Sequence, residues 1–277
     1  MTEIEPRTLE TLTRNEKLIT SSIHCLYEIF HCNTEICRYE IPSRKRDIAR
    51  MEKSPFLELI RLDQKAYLTA KKVSFPKVPL ETELDQNIIK SQITKRFSTR
   101  TITLDQLGKL LYLSYGVTKE LPDGKKLRAV LSMDNLYPIE VYPIIFNVDS
   151  LEEGIYHYNA KRHLLETLKC EHVKNKLANS LLDKEIFENA NALLMLTAIF
   201  KKVTLKYGDR GYRYVLLDAG HIIQNIYLLT SAMDIGFAVV REFIDDEIND
   251  LIGINGVNEA VICGVAIGGR EEEESDT

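Results

Sequence analysis

The sequence offers little to a metal ion. Its five cysteines (Cys25, Cys32, Cys37, Cys170 and Cys263) are odd in number and scattered. Cys32 and Cys37 are close, with His24 and His31 nearby, but no downstream Cys or His pair supplies the other half of a zinc site. Reduced thiols and no metal are expected. Positive charge is also short: the formal net charge is −5, so bulk attraction to nucleic acid is not expected. No apolar run approaches the ~20 residues of a membrane span, and MTEIEPRTLE is acidic and polar, unlike a secretory signal. The expectation is a cytoplasmic protein with neither membrane nor nucleic acid as partner. Internal repeats are absent, and low complexity is confined to the acidic end, REEEESDT.

What is present is an ordinary globular composition, 44% hydrophobic and 28% charged, enough for a substantial core. Residues 1–85 show mixed helical patterns (LITSSIHCLYEIF, RDIARMEKSPFLELIRL) and then a Pro-containing extended connector, VSFPKVPLETELDQ. They are expected to be a helical extension and linker, followed by a main domain over 86–270 and a disordered acidic tail over 271–277. The main domain has an α+β pattern. Thr103 and Gln106 form a capping box that opens a helix ending at Gly116. IEVYPIIFNV reads as a strand, and GIYHYNAKRHLLETL as a hairpin turning at Asn-Ala-Lys-Arg. LANSLLDKEIFENA reads as a helix, NALLMLTAIFKKV as a buried strand, and 209–233 as a long helix. FAVVREF is a short strand, DDEINDLIGI a short helix, and EAVICGVAIGG a last buried strand.

Three groups of residues have the makings of a site. Lys95, Arg96, Ser98, Thr99 and Arg100 stand directly before the capped helix, where arginine forks and a hydroxyl suit a phosphate. LSMDNLYPIEVY places Ser132, Asp134 and Asn135 in a polar loop entering a strand. KYGDRGYRY packs Lys206, Tyr207, Asp209, Arg210 and Arg213 at the mouth of the long helix, where Lys and Tyr can transfer protons. Each also reads as ordinary structure: a solvated basic turn, a loop, a charged helix cap. His221, within the helix, reads as a hydrogen-bonded core residue.

Together these stretches say more. KRFSTRTITLDQLGKLLYLSYG resembles the opening of the nitroreductase-like flavoproteins. LYPIEVYPIIFNV, GIYHYNAKRHLLETL, KYGDRGYRYVLLDAGHIIQNIYLL and EAVICGVAIGG, in that order, resemble the SagB-type (ThcOx-like) dehydrogenases over about residues 93–269. The resemblance implies a nitroreductase-like fold, with a mostly antiparallel central sheet flanked by helices. It also implies a homodimer with FMN at the subunit interface. The implied activity is oxidation of peptide thiazolines or oxazolines to azoles, beside a cyclodehydratase and a heterocycle-bearing precursor peptide. The alternatives are another flavin oxidoreductase of the same fold, or a non-catalytic scaffold subunit of such a complex. By the same resemblance Arg96 and Ser98 would hold the phosphate and ribityl end, Arg100 the pyrimidine edge, and Arg270 a further phosphate contact. Ser132, Met133 and Asn135 would form a loop reaching the flavin across the dimer, with Val240, Arg241 and Glu242 at the N5 edge. Lys206 and Tyr207 would be the catalytic pair, Tyr207 acting with Lys206, braced by Asp209, Arg210 and Arg213. The branch usually carries small residues before LYP; here Met133 and Asn135 replace two of them and Asp134 adds a negative charge.

Overall fold

The computed structural model describes residues 25–271, apart from 56, 58–59, 61–64 and 185–186. The expected acidic tail from 272 onward lies outside the described residues, as does part of the helical pattern over 46–62. The chain divides into two compact units, one up to Glu35 and one from Ile36. The described part of the first holds one helix, α1 (Leu26–Thr34).

The second unit begins with α2 (Ile41–Glu52) and α3 (Glu83–Lys90). The end of the expected connector is therefore helical. Thr82 accepts from the Asp85 amide at 3.1 Å and Asp85 accepts from the Thr82 amide at 2.7 Å, a reciprocal cap that starts α3. Then come β1 (Phe97–Ser98), β2 (Ile102–Thr103), α4 (Leu104–Tyr115), β3 (Val117–Glu120), β4 (Lys126–Arg128), β5 (Ile139–Ile145) and β6 (Val148–Asp149). The rest of the unit is β7 (Gly154–Asn159), β8 (Leu164–Lys169), α5 (Lys174–Ser180), β9 (Ala192–Ile199), α6 (Lys201–Tyr207), α7 (Arg210–Ala232), β10 (Ile235–Val240), α8 (Asp245–Ile252) and β11 (Glu259–Arg270).

The main sheet has seven strands in the order β1-β11-β9-β5-β7-β8, with β10 also paired to β11. Every pairing in it is antiparallel. β9, ALLMLTAI, is apolar except for Thr197, because both its faces are covered. Leu193 and Met195 share a core with Val173, Leu177, Ile248 and Ile252, from α5 and α8 and the residue before α5. Leu194 and Leu196 alternate to the other face. The long helix α7 packs on α4 and on β5, β10 and β11 through Val215, Ala219, Ile222 and Ile226. Pro143 sits inside β5 where its register pairs it to β9 alone; β7 joins only at Ile144 and Ile145. A missing N–H costs no ladder bond on an unpaired side.

The capping box of α4 forms as expected: the Gln106 amide donates to Thr103 Oγ1 at 3.1 Å and the Thr103 amide to Gln106 Oε1 at 2.9 Å. Replacing Thr103 with Ala is expected to lower unfolding free energy by about 1 kcal/mol, read as a lower denaturant midpoint at unchanged slope. Two expectations need correction. The helix expected over LANSLLDKEIFENA is α5, which starts earlier and ends at Ser180, because Leu181 pairs with Phe243 instead. The strand expected to run to Val203 stops at Ile199, and α6 begins at Lys201.

Candidate active site

The head of the long helix is two helices meeting at a corner. Gly208 ends α6 at φ 55°, a left-handed conformation that a side chain would strain. Gly211 then lets the first turn of α7 approach α6: a Cβ there would lie 3.0 Å from Thr204 Cα. These two glycines fold the corner tightly and leave Lys206 and Tyr207, at the end of α6, projecting from it.

Both side chains reach one atom. Lys206 Nζ and Tyr207 OH each donate to Oδ2 of Asp134. The loop that brings Asp134 there is held in an unusual shape, with Asp134 at φ 51°, Asn135 at 57° and Tyr137 at 46°. Such left-handed residues persist only where neighbours over-determine them. The neighbours are identifiable. Ser132 Oγ donates to Asp218 on α7 at 2.5 Å and accepts from the Tyr137 amide at 2.9 Å. The Tyr137 hydroxyl donates to Asn135 Oδ1 at 3.2 Å and accepts from the Arg128 amide at 3.0 Å. The Arg128 guanidinium stacks on Tyr115 and Tyr137, 4.2 and 5.0 Å from their centroids. His221 Nδ1 lies 3.3 Å from the Leu131 carbonyl. Contrary to expectation, His221 is exposed, and its hydrogen bond serves this loop.

The electrostatics follow from these contacts. Hydrogen bonding to Asp134 raises the pKa of Lys206 and of Tyr207, and the bonds from Lys206 and Tyr207 hold the Asp134 carboxyl below its usual range. Burial pushes the Asp218 carboxyl up. Of the residues expected to brace the pair, Arg210 lies 6.0 Å from the Tyr214 ring, and Tyr214 meets Tyr207 edge to face at 5.2 Å. Lys202, one turn before Lys206, pairs with Glu140 at the start of β5 at 2.6 Å and so ties α6 to the sheet.

The expected flavin-end residues gather elsewhere. Arg96 is exposed just before β1, and Phe97 and Ser98 pair with Arg270 and Gly269. Ser98 Oγ accepts from the Arg100 amide at 3.3 Å. Gly269 has to be glycine, since a Cβ would lie 2.4 Å from Ser98 Oγ. Arg100 pairs with Asp234 at 2.9 Å. Val240, Arg241 and Glu242, where β10 ends, line a cavity of about 540 Å³ with Arg44 and Asp183. A cavity of about 320 Å³ shares Asp183, Val239 and Arg241 with it and adds Lys95 and Thr94. Arg44 Nε is 3.7 Å from Glu242 Oε1, so α2 contributes to this wall.

Asp218 and Arg44 were not foreseen. Asp218 carried a signal: it is the one charged residue among the core-phase positions Val215, Ala219 and Ile222 of α7. Arg44 carried none. Among the described residues, no cluster of three or more His, Cys, Asp or Glu side chains could hold a metal ion, and no helix is long and apolar enough to cross a membrane.

The nitroreductase family pattern matches residues 93–269, well over half of the chain, so the protein belongs to the nitroreductase family. It is 33% identical over 174 residues to a protein of Methanocaldococcus jannaschii named as a nitroreductase, covering 63% of this chain and 86% of that one. It is 32% identical over 116 residues to the microcin B17-processing protein McbC of Escherichia coli, covering 39% of this chain and 42% of McbC, less than half its length. A chain of the E. coli microcin synthetase McbBCD complex with truncated pro-MccB17 bound shares the fold, at TM-score 0.62 and 19% identity over 91% of this chain and 99% of that one.

Proposed function

We propose that the chain is a SagB-type, FMN-dependent dehydrogenase that converts thiazolines or oxazolines in a ribosomally made peptide to azoles, working beside the cyclodehydratase that forms them. The observation that carries this reading is the Lys206–Tyr207 pair, gathered on one carboxylate at the head of α7. The similarity to McbC, which processes microcin B17, supports the substrate class.

The residues present fit a flavin. The two cavities along β10 are lined by three cations, Arg44, Lys95 and Arg241, against two carboxylates, Asp183 and Glu242. That excess of positive charge suits an anionic ligand, and the volumes lie in the range of ligand sites. Bound FMN would supply the acceptor for a substrate hydride. Arg96, Ser98 and Arg270 would hold its phosphate and ribityl chain, and the backbone at Val240–Glu242 would face the ring. Arg100 would reach the pyrimidine edge once its pair with Asp234 opened. In a homodimer, Ser132, Met133 and Asn135 would complete the cleft of the second copy. Exposed Leu205, Leu216 and Leu217 on α6 and α7 supply apolar surface for such an interface. The chain's own chemistry is proton transfer by Tyr207 with Lys206. A second reading, a flavin enzyme acting on another small molecule, draws on the M. jannaschii relative, which aligns over most of its length.

Titration with FMN tests the cofactor. The purified chain is expected to be yellow or to bind added FMN. Replacing Arg96 with Ala removes charge-assisted contacts worth about 1.5–3 kcal/mol, which raises the Kd by roughly ten- to a hundredfold. A colourless protein that quenches no FMN fluorescence would contradict the assignment and favour a scaffold role.

A further inference from the structure

We infer that Asp134 is the proton acceptor of this site, acting through Tyr207: one carboxylate oxygen, shared by Lys206 Nζ and Tyr207 OH, is where a substrate proton is delivered. This rests on the proposed oxidation. Substrate oxidation needs a base, and neither member of the expected pair is free to be one. Tyr207 gives its proton to Asp134, and Lys206 gives one to the same oxygen. The hydrogen bond to Asp134 raises the pKa of Tyr207 and so keeps it a phenol at neutral pH. The Asp134 carboxylate, held below its usual range by Lys206 and Tyr207, is ionised there. Availability decides for Asp134. The same two bonds that keep Asp134 ionised also weaken it as a base, so the proton it accepts is passed on to water rather than held.

The geometry gives the route. A phenol that donates to Asp134 keeps its lone pairs on the other side of the oxygen: one faces Lys206, and a substrate C–H would meet the other. In one step the carbon-bound proton goes to Tyr207 Oη, and the proton of the phenol goes to Asp134 Oδ2. The electron pair left on carbon forms the new ring double bond, and bound flavin would supply the acceptor for the hydride that leaves the neighbouring carbon. Lys206 stays a cation throughout and holds Tyr207 and Asp134 in register. The Asp134 and Lys206 side chains are 41% and 62% exposed, so the proton leaves to water. The groups facing Asp134 are Lys206 and Tyr207 from α6. From α7, Tyr214 stacks on Tyr207, while Asp218 and His221 hold the loop at Ser132 and Leu131. The left-handed backbone at Asp134 and Asn135 is what aims the carboxylate, and the small residues usual in this branch would offer no such group.

The pH dependence of azoline turnover by the FMN-loaded enzyme separates the two bases. With Asp134 as acceptor the rate is flat from about pH 5.5 to 9, because the base is already ionised. With Lys206 or Tyr207 as base it climbs about tenfold per pH unit across neutrality. Asp134→Asn, compared at saturating FMN, is expected to lower kcat by about 10²- to 10³-fold and to turn the flat profile into a rising one, while Asp134→Glu recovers part of the rate. A second readout needs neither flavin nor substrate. In protein labelled at tyrosine Cζ, the Tyr207 NMR resonance, identified with Tyr207→Phe, titrates above ordinary tyrosine in the wild type and returns toward it in Asp134→Asn. A rising wild-type profile, or an Asn variant that retains the rate or leaves the Tyr207 titration unmoved, overturns the inference. Absence of any azoline turnover by the wild type counts against the proposed function, and the NMR titration then decides the role of Asp134 alone.

Discussion

Replacing Tyr207 with Phe is expected to cut azoline turnover by about 10²- to 10⁴-fold, the range a positioned proton-transfer group contributes, while leaving FMN occupancy and thermal stability near wild type. Stability should hold because the Tyr207 hydroxyl sits at the surface, bonded to a half-exposed carboxylate, and surface contacts of this kind are worth little. Flavin occupancy should hold because the residues expected to grip FMN lie around β1 and the end of β10, on different elements from α6. Lys206→Ala is expected to slow turnover as well, because it loosens Asp134 and removes the cation beside it. Single-turnover kinetics with an azoline peptide, with bound flavin quantified in parallel, check both variants. Full turnover by Tyr207→Phe would remove the proton-transfer role and the Asp134 relay with it.

The second large effect concerns stability. Glu140, at the start of β5, meets His157 at 3.3 Å and Lys202 at 2.6 Å, and His157 also meets Glu166 at 2.8 Å. Burial alone would raise the Glu140 pKa, but the hydrogen bond from His157 and the charge of Lys202 outweigh it and hold the carboxyl at about 2. A carboxyl depressed in the folded state contributes stability above its unfolded pKa and loses it as pH falls through the folded value. The difference from an ordinary glutamate corresponds to about 3 kcal/mol, present above roughly pH 4.5. His157 has the opposite sense: its pKa is raised, chiefly by Glu140, so its contribution is full below about pH 6.5 and is lost as pH rises through the folded value. The network is therefore strongest between about pH 4.5 and 6.5. Glu140→Gln should be destabilised by about 3 kcal/mol near pH 5.5, with the gap closing toward pH 2. Urea unfolding at several pH values reads this, and a deficit that does not change with pH would show that the pairing contributes nothing. Because Lys202 belongs to α6, the variant also tests whether this network steadies the helix that carries Lys206 and Tyr207.

The fold was legible wherever a local signal and the tertiary environment agreed. The Thr103–Gln106 box, the Asn-Ala-Lys-Arg turn between β7 and β8, the apolar stripe of α7 and the buried last strand β11 all stand as expected, β11 running one residue past its glycines to Arg270. The misses have physical reasons. KKVTLKY follows a buried strand with β-branched and aromatic residues and no breaker, so nothing local announces that Ile199 ends β9 and that a helix follows. LANSLLDK has helical propensity, but Leu181 is taken by a bridge to Phe243, a partner distant in sequence. The β3–β4 hairpin was absent from the expectation although Pro122-Asp123-Gly124 is a turn signal, with Gly124 at φ 80°.

The site divides in the same way. That Lys206 and Tyr207 stand together was readable from their adjacency and the flanking glycines. That both converge on Asp134 was not, because it depends on a loop more than seventy residues away and on left-handed residues held by Asp218 and Tyr137. Arg100 shows the limit of motif transfer: its position follows from the sequence, while its engagement with Asp234 follows from the turn between α7 and β10.

One mixing experiment addresses the whole account. The FMN-loaded protein, made anaerobic, is combined with a peptide bearing a thiazoline, and the visible flavin band is followed while the peptide is weighed by mass spectrometry. The band is expected to bleach in proportion to peptide added, with each ring losing two hydrogens. A band that stays unbleached by azoline peptides, in protein whose flavin a chemical reductant readily bleaches, would contradict the account.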